Sequence, residues 1–121
     1  MDKEKGIDVK IHNNMYKVFF VDSTCEKLIL NDEIKSGVTY YSEKEIYIRN
    51  DLNHNSMWYT LYHEITHAYI ESYGFFQVDW NDEIVADFIA NYMDDIRWTV
   101  NAIDKSDITE MIEKIKKMGW A

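Results

Sequence analysis

Residues 59–71 read YTLYHEITHAYIE. At the centre, His63, Glu64 and His67 have the types and spacing that metal-assisted hydrolysis requires. On a helix, residues four apart project from one face, one turn above the other. His63 and His67 can then offer imidazole nitrogens to a single zinc ion, each at about 2.0–2.1 Å. Glu64 is turned about 100° from His63 around the axis. That sets it beside the ion, where it can take a proton from a water held there. The bland alternative is an exposed helix with two ordinary histidines and a salt-bridging glutamate. The flanks argue against it, because Leu61, Ile65 and Ala68 are spaced to bury the opposite side.

A catalytic zinc site takes three protein ligands and leaves one position open. Acidic candidates for the third are Glu71, Asp79, Asp82, Glu83 and Asp87. Glu71 shares the histidine face, but on the same helix it lies too far along to close a tetrahedron. Glu83 is better placed, in the first turn of the next helix after residues 74–80 bring the chain back. Glu83 and Asp87 are four apart, so both can face the first helix. One can bind zinc while the other accepts the second N–H of a ligand histidine and orients its ring. A solvated acidic face is the plainer account of the same pair. Ala86 and Ala90 allow the two helices a close approach.

The elements that must position these residues follow from hydrophobic period. Residues 15–22 (MYKVFFVD) are rich in β-branched and aromatic side chains and end at a polar cluster, so they predict a strand. Residues 28–30 suit a brief helix or turn. Residues 38–41 and 45–49 (VTYY, EIYIR) flank a polar turn, with Ile46 and Ile48 alternating against Tyr47, and predict a hairpin. If 45–49 is an exposed edge, an extended substrate can pair with it, which makes Tyr47 a substrate-binding candidate.

From Asn55 the period becomes helical. Asn55 or Ser56 caps a helix that runs to about residue 73 and stops at Gly74. A second helix starts near Asn81 or Asp82 and runs to about 98, apolar around much of its circumference and so expected to be central. A third, over 106–118, spaces Ile108, Met111, Ile112, Ile115 and Met118 for packing. The expected fold is α+β: a small N-terminal sheet packed on the active-site helix and two further helices, one domain over residues 1–121 with 1–8 disordered. The four tryptophans are expected in the core.

Composition narrows the partners. The formal charge is −9, from 22 acidic against 13 basic residues, so a phosphate backbone is repelled overall and nucleic-acid binding is not expected. A metal cation or a basic regulatory protein suits that charge better. No apolar run is long enough to span a membrane, and MDKEKGIDVK lacks the apolar stretch of a secretory signal. Cys25 stands alone, which fits a reducing cytoplasm. His54, in the polar segment NDLNHNS, is read as an ordinary surface histidine.

HEITH followed by EIVAD at 83–87 resembles the gluzincin pattern, HExxH with a downstream ExxxD. More narrowly, EIVADFIA at 83–90 is similar to the ExxANxFA-like segment of the ImmA/IrrE family of small metallopeptidases. Ala86 and Ala90 match, Asp87 stands where asparagine or aspartate is usual, and Ile89 replaces a common phenylalanine. EIYIRNDL and then WYTLYHEITHA also resemble that family's strand, loop and active-site helix. The similarity covers about residues 38–93. Beyond it, Tyr92-Met93-Asp94-Asp95 replaces a leucine-rich, proline-ended stretch.

The resemblance implies a minimal zincin-like fold and a zinc-dependent endopeptidase acting on a protein or peptide substrate. It makes His63, His67 and Glu83 the ligands, Glu64 the general base, and Asp87 the partner that orients a ligand. Members are often encoded by phages, mobile elements or stress-response systems, where some cleave a transcriptional repressor. The alternative is a zinc-stabilised, catalytically silent protein-binding module, against which Glu64 speaks, because a structural site needs no base. A metal-free helical adaptor is the third reading.

Overall fold

Alternation along one strand sets the architecture. In β2 (Asn14–Val21), Tyr16, Val18 and Phe20 are buried on one face and Phe19 on the other, so the strand is covered on both sides. The computed structural model describes residues 6–72, 74 and 79–103. β1 (Ile7–Ile11) pairs antiparallel with β2 across a turn in which His12 adopts φ +57°. After a 3-10 turn (Glu26–Leu28) and the short hairpin β3 (Ile29–Leu30) and β4 (Glu33–Ile34) come β5 (Gly37–Tyr40) and β6 (Glu45–Arg49). β6 pairs parallel with β2, from Lys17 opposite Glu45 to Val21 opposite Arg49, and antiparallel with β5. The sheet order is therefore β1-β2-β6-β5.

Helices α1 (His54–Ser72) and α2 (Asp82–Ala102) cover one face. There Val18, Ile46, Ile48, Met57, Leu61 and Ile65 are fully buried. A smaller cluster of Phe19, Leu28, Val38 and Tyr47 fills the other face. The α+β class is as expected, and so is the 38–49 hairpin. Three elements differ. β1 begins at Ile7, inside the stretch read as disordered, because Ile7, Val9 and Ile11 have β2 to pair with and a core to enter. β6 is internal rather than an edge, since its second neighbour is the distant β2. α1 starts at His54, with Asn53 Oδ1 accepting from the Ser56 amide at 2.8 Å.

The cap of α2 is Asn81, whose side chain accepts from the Ile84 amide at 3.0 Å, and the helix continues past 98 to Ala102. It is not apolar-buried all round. Phe88, Ile96, Thr99 and Val100 are buried, whereas Val85, Ile89 and Met93 are each 45% exposed. Trp58 is half-buried, and Trp80 and Trp98 are exposed, contrary to the core expectation. The helix expected over 106–118, and Trp120, lie outside the described residues. Among the described residues, no helix is long and apolar enough to cross a membrane.

Candidate metal centre on helix α1

Helix α1 sorts its side chains by angle. Met57, Leu61, Ile65 and Ala68 face the core, while His63 and His67 lie on the exposed side. The two rings stand edge to face at 4.8 Å, with Tyr59 at 5.9 Å from His63. Their Nε2 atoms are 3.2 Å apart. A tetrahedral zinc with Zn–N bonds of about 2.0–2.1 Å holds two ligand nitrogens about 3.3 Å apart, so the spacing suits one ion as well as it suits the hydrogen bond between the two rings here. The histidines line an open groove of about 340 Å³ together with Tyr59, Tyr62, Thr66 and Ile70.

Glu64 points to the flank, against β5, and is 6% exposed. Its Oε1 accepts a hydrogen bond from Thr39 Oγ1 at 2.7 Å, and the same hydroxyl lies 3.1 Å from the Glu64 carbonyl oxygen. Gly37, two residues earlier on the same side of β5, makes this approach possible. A Cβ there would stand 2.7 Å from Thr60 Cγ2 and 2.9 Å from Glu64 Cγ, inside van der Waals contact. Thr39 and Gly37 carry no signal in the sequence until the register of β5 on α1 is known.

Glu83 and Asp87 do not join the histidines. Both are exposed, and at 100° per residue they lie roughly 160° around α2 from the stripe formed by Phe88, Ile96, Thr99 and Val100. Among the described residues, no group of three His, Cys, Asp or Glu side chains converges on a metal-sized point. The residues thus fit zinc at two positions, and the third ligand is not assembled in this arrangement. His54 is exposed and accepts a hydrogen bond from Trp58 Nε1, consistent with a surface role.

Tyr47 is corrected as a substrate contact. It is 2% exposed, stacks on Phe19 at 4.9 Å, meets Tyr40 edge-on and donates to Glu45 Oε1 at 2.8 Å. Burial and the neighbouring Glu45 carboxylate push its phenol upward. The edge strand beside Glu64 is β5, which pairs with β6 on one side.

Tyr16 is buried, and its hydroxyl has no hydrogen-bond partner among the described residues. Burial, with Glu71 and Tyr41 nearby, raises its pKa from the ordinary 10 to about 12. A raised phenol pKa favours the fold below the unfolded value, and that contribution disappears as the pH climbs from 10 through about 12. Tyr16→Phe should therefore raise stability at pH 7 by about 1 kcal/mol, since an unpaired buried hydroxyl is removed. It should also flatten the alkaline loss. Denaturation midpoints at pH 7 and pH 11 check both, and a less stable variant at pH 7 would mean the hydroxyl is satisfied. No family model, curated protein or solved structure matches this chain.

Proposed function

We propose that this protein is a zinc-dependent endopeptidase, of the kind its resemblance to the ImmA/IrrE family implies. The observation that carries the reading is the 3.2 Å separation of the His63 and His67 Nε2 atoms, beside a buried carboxylate one residue along. His63 and His67 would hold the ion. Glu83 is the proposed third ligand, with Asp87 behind it, on the resemblance alone, because both face outward here. When bound, zinc supplies a Lewis acid and lowers the pKa of water towards about 7. Glu64 accepts the proton of the attacking water and returns it to the leaving amine.

An extended substrate segment has β5 to pair with, in place of the internal β6. The charge of −9 favours a basic protein substrate, and a transcriptional repressor of phage or mobile-element type is the class the resemblance suggests. A cytoplasmic setting suits the lone cysteine.

A second reading, the silent zinc-stabilised binding module, draws on the Thr39–Glu64 hydrogen bond, which can hold the carboxylate as a structural group. Zinc titration of the purified chain, alongside cleavage assays on casein and on basic proteins, separates the two. The peptidase reading expects one zinc per chain, cleavage lost on chelation, and recovery when zinc is restored. Zinc without cleavage favours the binding module. No zinc at all removes both.

A further inference from the structure

We propose that Thr39 is the positioning residue for Glu64, a role that rests on the peptidase reading above. Glu64 is the one buried carboxylate among the described residues, and no Lys, Arg or His pairs with it there. A buried carboxyl group needs a hydrogen-bond partner, or it pays heavily in lost hydration. The Thr39 hydroxyl supplies one, at 2.7 Å from Oε1.

Two residues of one strand face thus shape the carboxylate. Gly37 leaves the space for its stem, and Thr39 fixes one oxygen. With Oε1 engaged, the rotation about the last side-chain bond is set. Oε2, which lies 3.3 Å from where a Cβ at position 37 would stand, is the oxygen that the Thr39 hydroxyl does not engage. Because Thr39 belongs to the edge strand β5, the segment open to an incoming chain also aims the base.

The test compares wild type, Thr39→Val and Thr39→Ser as full-length, zinc-loaded protein on a peptide cut from whichever protein the wild type cleaves. Valine keeps the branched shape a strand favours and removes the hydroxyl. In Thr39→Val, kcat should fall about 10- to 100-fold, as expected when a reacting group loses alignment, with KM within about twofold of wild type. Thr39→Ser should restore most of kcat, which a purely structural role would not require. Crystal structures of the metal-free proteins give a second readout: the Glu64 carboxylate should leave β5 in Thr39→Val and stay in Thr39→Ser. Unchanged kcat in Thr39→Val, or serine as impaired as valine, would overturn the proposal. If wild type cleaves nothing, the peptidase reading fails, and the crystallographic comparison still decides whether Thr39 directs Glu64. An unmoved carboxylate in Thr39→Val would then refute that too.

Discussion

Replacing Glu64 by glutamine should lower peptide cleavage by about 10²–10⁴-fold, the usual worth of a positioned general base, while zinc binding is retained. That span corresponds to about 2.7–5.5 kcal/mol of barrier. Glutamine keeps the shape and length of the side chain, and its carbonyl oxygen can still accept from the Thr39 hydroxyl. What it cannot do is take up a proton. The fold should survive, because the nearest approach to Gly37 is made by the stem, which does not change. Zinc content, thermal unfolding and kcat measured together make the result interpretable. Cleavage at the wild-type rate would remove Glu64 from the chemistry. Loss of zinc along with cleavage would instead make Glu64 part of what shapes the histidine pair.

Gly37→Ala should destabilise the protein by about 1–2 kcal/mol. Overpacking a tight contact costs about 1–3 kcal/mol, and exchanging glycine for alanine in a strand returns about 0.5–1 kcal/mol. The added methyl would meet Thr60 Cγ2 at 2.7 Å and Glu64 Cγ at 2.9 Å, so either β5 or α1 must shift. The neighbour identifies the cause. Thr60→Ser deletes the nearer of the two atoms, so the double variant should recover about 1 kcal/mol relative to additivity. Urea denaturation of the four proteins measures this directly. Strict additivity would mean that the clash is not what costs stability. Gly37→Ala should also slow cleavage, because it pushes on the stem of Glu64.

The helices were readable because their signals are local. Asn81 as a cap, the apolar spacing of Leu61, Ile65 and Ala68, and the shared face of His63 and His67 depend only on residues within a turn or two. What escaped depends on partners far away in the chain. That β6 is internal follows from Val18 lying opposite Ile46, which alternation in 45–49 alone does not reveal. Thr39 and Gly37 become part of the site only once β5 is laid on α1.

The outward direction of Glu83 has a related cause. The apolar residues Ile89 and Met93 are among those that suggest a helix buried on most sides, yet they remain half exposed. The side of α2 that packs is decided by Phe88, Ile96, Thr99 and Val100. Sequence spacing could say that Glu83 and Asp87 share a face. It could not say which way that face would look.

The sheet consists of two hairpins, β1-β2 and β5-β6, each joined by a short turn and zipped together along one parallel seam where Phe20 meets Ile48. The two hairpins rest on local pairing, whereas the seam requires closure of the long excursion between them, so it carries the larger loop-closure cost and is expected to form after them. Helix α1 rests on β1, β5 and β6, and so on both halves. The groove beside its histidines is therefore expected to take shape only once that seam has closed.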